Sequence, residues 1–443
     1  MLRGKNMINF DKSIIRQYAR KLDIPLVDLI VQVLKSDKKL GRANTTLFAA
    51  CPNSEAVLKA SIMAAKRANA PIKFAATLNQ VDLDGGYTGW TQESFVKLVG
   101  ELTEKVGFDG PVIIAVDHGG PWLKDLSSKN NWTLEQTMEA LKISFAASLF
   151  AGFDLIHVDP TVDKTLAAGK NIEIEVVIHR TVELISYVEG IRRRFGLGRI
   201  SYEVGTEEVH GGLADILTFR RFLDGLKKGL GEAGLPDVWP IFVVGKVGTD
   251  LDTTMFDPKV ASELVRIAGE YGSLIKGHYT DYVDNPEDYP KVGMGAANIG
   301  PEFTEEEYKG LMELVTIEEK LYIDGKLDAR SMMKEALKKA VVMSGRWKKW
   351  RKPEEMDIGF DHLGAQRQEW LIKTGCRYIW TNPEVAAARG LLYSNLNNNN
   401  VAAENIVLEK IIVAMMKYYE AFNLINLNDY LKGYSNKLIQ EVK

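Results

Sequence analysis

Residues 113–121 read Ile113-Ile114-Ala115-Val116-Asp117-His118-Gly119-Gly120-Pro121. A short apolar run stops at a carboxylate and an imidazole, and glycines follow. That is the pattern of a buried parallel strand whose C-terminal end opens into an active-site loop. Adjacent residues on a strand face opposite ways, but twist and the following glycines can let both reach the mouth. Taken alone, the pair is more simply an Asp capping a loop beside a hydrogen-bonded His. The rest of the chain shifts that balance, because the pattern recurs.

Similar apolar runs occupy 45–51, 72–77, 153–159, 200–205, 240–246, 273–278 and 289–295. Helical patterns separate them. Asn53 or Ser54 can cap a helix reaching about Asn69, Thr91 with Glu93 opens another, and Thr133-Leu134-Glu135-Gln136 has a capping-box look. Eight strand–helix units in about 260 residues predict an α/β fold, the (β/α)8 TIM barrel. A doubly wound sheet would normally carry G-x-G-x-x-G after its first strand. Neither that motif nor a Walker A lysine motif is present. The expected organisation is 1–40 as N-terminal helices packing on the barrel, 41–325 as the barrel, and 326–443 as a C-terminal helical extension.

Composition bounds the function. The chain has 443 residues, 46% hydrophobic and 26% charged, with a net charge of -3, which fits a globular protein and argues against general nucleic-acid or membrane-surface binding. Its two cysteines, Cys51 and Cys376, are too far apart for a metal-ligand spacing. There is no apolar leader and no run of 18 apolar residues. The expected setting is the cytoplasm, without membrane or nucleic-acid partners.

Barrel enzymes build their sites from the C-terminal ends of strands. Here those ends carry Asn79 and Gln80, Asp117 and His118, His157 and Asp159, Glu203 and Glu207, Lys246 and Asp250, and His278. Only 6 histidines occur in the chain, and three of them stand at predicted strand ends, with His210 one loop further on. For His157 and Asp250 a structural and a functional role weigh about evenly; for His118, Glu207 and His278 function is favoured. Imidazole and carboxylate together suit a divalent metal, zinc first, with cobalt, nickel or manganese as alternatives. Such an ion would polarise a sugar carbonyl, and Asp117 or a Glu would move the proton. Gly293-Met294-Gly295-Ala296-Ala297-Asn298 reads as a phosphate cradle, with Gly293, Gly295 and Asn298 as contacts. Lys246, Lys276 and Lys291 sit on predicted strands, where an ion-paired lysine is commoner than a Schiff-base one. The cluster Arg346-Trp347-Lys348-Lys349-Trp350-Arg351-Lys352 reads as a solvated helix end or a source of anion-binding arginine.

Several stretches in order carry a resemblance: Asn79-Gln80-Val81, Gly85-Gly86-Tyr87-Thr88-Gly89, Asp117-His118 with Pro121, His157 with Asp159, Val204-Gly205-Thr206-Glu207, His278-Tyr279-Thr280-Asp281-Tyr282 and Cys376-Arg377-Tyr378-Ile379-Trp380. Together they resemble the non-catalytic subunit family of class II tagatose-bisphosphate aldolase, once labelled tagatose-6-phosphate kinase, with related ketohexose 4-epimerases. The resemblance implies a barrel related to the metal-dependent aldolases. It implies Asp117 as catalytic acid/base and His118 and His278 as metal ligands. Strand six departs from the aldolases: where they place another His, this chain has Phe242-Val243-Val244-Gly245-Lys246. Either metal binding is lost, or Glu207, His210, Asp250 or Asp159 completes a different site.

The expected function is metal-assisted retro-aldol chemistry, 4-epimerisation or aldol cleavage, on tagatose, fructose or their phosphates. Asp117 and Glu207 are the catalytic candidates, and His118, His278 and His210 the metal candidates. Asn79, Gln80, Asp159, Asp250 and Lys246 would contact the sugar, with Arg377 as a further phosphate contact. A homo-oligomer is expected. The alternative is a non-catalytic accessory subunit that stabilises a separate catalytic aldolase.

Overall fold

Eight parallel strands close a barrel in strict sequence order. They are β1 (Leu47–Ala50), β2 (Ile72–Thr77), β3 (Val112–Gly119), β4 (Leu155–Val158), β5 (Ser201–Gly205), β6 (Phe242–Val244), β7 (Leu274–Gly277) and β8 (Ala296–Ile299). The ring closes where Leu47 to Ala50 pair with Ala296 to Ile299. The computed structural model describes residues 12–38, 43–167, 170, 172–205, 215–249 and 254–441.

Helices return the chain between strands: α3 (Glu55–Ala68), α4 (Gln92–Val106), α6 (Leu134–Ala151), α7 (Ile174–Phe195), α8 (Ile216–Glu232), α9 (Pro258–Glu270) and α11 (Pro301–Ile323). Two short helices, α5 (Asp125–Lys129) and α10 (Asp288–Val292), interrupt loops, and α1 (Ile14–Leu22) and α2 (Leu26–Lys38) precede the barrel. Local chemistry sets the starts. Ser54, Thr91 and Thr133 each accept a backbone N–H three residues on. Thr91 closes its capping box with Ser94 rather than Glu93.

The eighth strand lies further along than its sequence pattern indicates. Residues 289–295 were expected to form it, yet most of that run is the helix α10 and its exit turn. Pro290 falls in the first turn, where its missing N–H costs nothing, and Gly293 ends the helix at φ 90°. The true strand, Ala296-Ala297-Asn298-Ile299, has little β-branched character to announce it. Lys291 is therefore on the exposed side of a short helix, paired with Asp288.

Beyond α11 come α12 (Met333–Ser344), α13 (Ala365–Gly375), α14 (Pro383–Asn397), α15 (Ala403–Ala421) and α16 (Leu427–Glu441). Helix α15 packs on α3 and α11. Its Tyr418 stacks on Phe48 of β1 with ring centroids 6.1 Å apart, and Tyr419 meets the same ring at 5.1 Å. The C-terminal helices thus share the barrel's own apolar core. No described helix is long and apolar enough to cross a membrane.

Candidate active site

Strand β3 solves the problem of two adjacent residues entering one site. Its pairing with β4 runs in register through Val116, shifts, and resumes at Gly119. His118 sits inside that bulge at φ 48°, in the left-handed region. A bulge re-aims side chains, so Asp117 and His118 both reach the mouth. The glycines that follow are required by close approach. A Cβ on Gly119 would lie 2.6 Å from the His157 carbonyl, and one on Gly120 would collide with the Asp159 carbonyl.

Below the mouth, the barrel interior carries charge instead of aliphatic packing. Lys73 of β2, Asp117 of β3, His157 of β4, Glu203 of β5 and Lys276 of β7 are all buried. Lys276 Nζ donates to Glu203 Oε1 at 2.5 Å and to Asp117 Oδ1 at 3.3 Å. Lys73 Nζ donates to Glu203 Oε2 at 3.4 Å. Asn298 of β8 donates through Nδ2 to Asp117 Oδ2 at 3.1 Å, so both oxygens of Asp117 are held.

These contacts set the protonation. Burial would raise the Asp117 and Glu203 carboxyls. Lys276, acting together with His118 and His278 at Asp117 and with Lys73 and His157 at Glu203, more than offsets that burial and holds both well below the usual carboxylate range. Burial would lower Lys276, but Asp117 and Glu203 keep its ammonium charged. Lys73, more burial than pairing, falls to about 8. His278 is pushed down to about 4 by burial and by its neighbours His118 and Lys276, so its ring is neutral at ordinary pH.

Three imidazoles, His157 of this layer among them, cluster beside these carboxylates. Ring centroids lie 4.5 Å apart for His118 and His278, 5.3 Å for His118 and His157, and 5.5 Å for His157 and His278. His118 Nδ1 is 2.8 Å from Asp159 Oδ2, whose other oxygen accepts from Thr161 at 2.6 Å. That carboxylate fixes the ring and leaves Nε2 facing Asp117 at 3.9 Å. His157 Nε2 and His278 Nδ1 are buried with no hydrogen-bond partner among the described residues. Orphaned imidazole nitrogens beside buried carboxylates suit a divalent ion of borderline softness. Ligand atoms of Asp117, His157, Glu203 and His278 fall within 4.8 Å of one another, as do those of His118, His157 and Asp159.

Asp117, His118, His278, Asn79, Gln80, Asn298 and Arg377 line one cavity of about 220 Å³. Asp159 lies behind His118, and His157 supplies the third imidazole, which the sequence left undecided. Asn79 and Gln80 also pin loops: Asn79 bonds Leu123 O and Asp125 N, and Gln80 bonds Thr77 N and Asn53. Lys246 is half-buried just after β6 and does not line the cavity. Gly293 and Gly295 precede β8, at the barrel end opposite Asp117, so the expected cradle is not at the mouth. Glu207, His210 and Asp250 lie outside the described residues.

Sequence reasoning missed Lys73, although one lysine inside Ile72-Lys73-Phe74-Ala75-Ala76 was itself a signal of a buried charge. It also missed Asp281. The Asp281 carboxylate accepts the Gly300 and Glu302 amides at 2.9 and 2.8 Å, occupying the N-terminus of α11 where this fold usually binds phosphate.

Comparison with known proteins agrees with this architecture. A family model described as D-tagatose-1,6-bisphosphate aldolase subunit GatZ/KbaZ-like matches residues 30–421. D-tagatose 6-phosphate 4-epimerase of Agrobacterium fabrum (strain C58) is 26% identical over 397 residues, which is 84% of this chain and 88% of that protein. The crystal structure of a "probable tagatose 6 phosphate kinase" from Sinorhizobium meliloti 1021 superposes with TM-score 0.68 at 21% identity, covering 86% of this chain and 100% of that one. Fructose-bisphosphate aldolase from Campylobacter jejuni gives TM-score 0.54 at 13% identity over 90% of this chain and 95% of that one, a likeness of fold.

Proposed function

The chain belongs to the D-tagatose-1,6-bisphosphate aldolase subunit GatZ/KbaZ-like family, and from that premise we propose that it catalyses retro-aldol chemistry on a ketohexose or its phosphate, inverting C4 or cleaving C3–C4. The observation that carries the reading is Asp117, a buried carboxylate held ionised by Lys276 and Asn298 beside three clustered imidazoles. The 26%-identical relative named as a tagatose 6-phosphate 4-epimerase supports the C4 outcome.

A divalent ion, zinc first, held by His118, His157 and His278, would polarise the ketose carbonyl. The protein's own part follows from its geometry. Asp117 takes the proton of the C4 hydroxyl as the C3–C4 bond breaks, leaving C4 as an aldehyde and its bonding electrons on the C2–C3 enediolate half. Re-addition to the opposite face of the aldehyde, with the proton returned, inverts C4. Release of the halves instead completes aldol cleavage. Asp159 keeps His118 in one orientation throughout, and Lys276 keeps Asp117 from drifting toward neutrality.

The test is to incubate the purified chain alone with fructose, tagatose, their 6-phosphates and bisphosphates, and to follow C4 inversion and triose formation. Turnover lost in Asp117→Asn is expected. Turnover unchanged in that variant would sink the mechanism. A second reading has one observation in its favour, the family's description as an aldolase subunit. An accessory subunit would show no turnover alone and would raise the stability of a separate catalytic aldolase.

A further inference from the structure

The cavity over Asp117 has a cationic wall, and it comes from the C-terminal region. Arg346, Lys349 and Arg377 line the same space as Asp117 and His118. One phenol ring organises the two arginines. The Arg346 guanidinium lies 4.6 Å and the Arg377 guanidinium 5.1 Å from the Tyr378 centroid. Tyr87 meets that ring edge-on at 5.0 Å, and Trp350 backs Arg377 at 4.9 Å. Stacking of this kind pre-orders planar guanidiniums and leaves their edges for oxygen acceptors.

The charges around them do not balance. Asp125 takes both Arg346 Nη1 at 2.9 Å and Lys349 Nζ at 2.8 Å. Arg377 has no carboxylate partner among the described residues. Its Nε is buried with no acceptor, and so is Trp350 Nε1 beside it. A buried donor without an acceptor costs free energy until one arrives. Asp281 also lines the cavity, and its Oδ1 accepts the Gly300 and Glu302 amides at the start of α11. Burial, with Glu302 nearby, pushes it up to about 7 against those amides and Arg377, so it is only partly ionised at neutral pH. Two arginines on a shared aromatic frame, with Lys349 beside them, therefore have one carboxylate, Asp125, as ion-pair partner, while Asp281 already fills the usual phosphate position of the fold.

We infer that Arg346, Lys349 and Arg377 form an anion subsite that holds the phosphate of a sugar phosphomonoester while its carbon chain lies over Asp117 and His118. The sugar half rests on the proposed reaction; the phosphate half rests on the cation frame alone. Arg377 acts as the principal contact because its charge is unspent, and Asp125 holds Arg346 and Lys349 in place.

Calorimetric titration of the full chain with inorganic phosphate, fructose 6-phosphate and fructose tests this. Wild type is expected to bind fructose 6-phosphate at least about tenfold tighter than fructose. Arg377→Met should remove most of that ratio and the phosphate heat, with Arg377→Lys recovering part. Should Arg377→Met fail to fold, Arg346→Gln carries the same criterion. A ratio unchanged in the variants, or no preference in wild type, overturns the subsite. The two readings separate cleanly. Phosphate-dependent binding lost in Arg377→Met, without any C4 inversion or cleavage, keeps the subsite and removes the reaction. Turnover indifferent to the phosphate and to Arg377→Met removes the subsite and keeps the reaction.

Discussion

The Lys276 ammonium lies 2.5 Å from Glu203 Oε1 with both side chains buried inside the barrel. It is a counter-ion shared with Asp117, and its position makes it structural and electrostatic at once.

Lys276→Met should therefore be strongly destabilising, by about 3–5 kcal/mol, because it leaves two carboxylates buried with Lys73 as the one ammonium still paired to either of them among the described residues. The double variant Lys276→Met/Glu203→Gln removes charge from both sides and should recover a large part of that loss. Urea unfolding of the three proteins checks it. Equal destabilisation of single and double variants would show that packing, not charge, dominates.

Asp117→Asn keeps the shape and the Asn298 contact but cannot accept a proton. We expect kcat to fall by about 10²–10⁴ with KM little changed, since the group acts in the transition state rather than in binding. Steady-state kinetics on whichever ketohexose phosphate turns over gives the split.

Metal content should follow the imidazoles. Elemental analysis of protein purified without chelator should find about one equivalent of divalent metal, lost in His118→Ala and in His157→Ala. Asp159→Asn should retain a site weakened by about 10–100-fold, because only the orienting hydrogen bond to His118 is lost. Metal unaffected in His157→Ala but lost in His210→Ala would move the third ligand to the loop after β5.

Glu307, on α11, tests a carboxyl away from the chemistry. Burial pushes it up to about 7 against a hydrogen bond from Ser54 and the Arg389 guanidinium at 3.7 Å. A raised folded-state pKa contributes stability that is complete below about 4.5 and is lost as pH rises through about 7. Glu307→Gln should flatten that slope, and at pH 8 should be more stable than wild type by up to the order of 3 kcal/mol. Thermal unfolding from pH 4 to 8 reads the difference; parallel curves would refute it.

Seven strands stand within a few residues of where the amino-acid pattern places them, and the helix caps at Ser54, Thr91 and Thr133 are legible too. These signals are local: apolar runs and capping side chains act over three to eight residues. Strand eight was misread for the same reason. Tyr289 to Gly295 carries the stronger local pattern, but β1 and β7 pair with Ala296 and Ala297, and closure of the ring decides.

Asp117, His118 and His278 were visible as candidates because polar residues at the ends of apolar strands are conspicuous. Their relation was not. Nothing in Asp117-His118-Gly119 announces that His118 adopts a left-handed backbone in a bulge, which is what lets both neighbours face one cavity. Nor could spacing show that residues as far apart as Lys73, Glu203 and Lys276 share one level of the barrel, or that Tyr378 carries two arginines over its mouth.

What the chain determined by itself was the alternation of strand and helix and the presence of chemistry at strand ends, because burial and capping are settled by near neighbours. Tertiary structure alone decided which charges become partners. A closed barrel brings distant strands to the same depth in a medium of low dielectric, and there an ammonium and a carboxylate must either pair or be excluded.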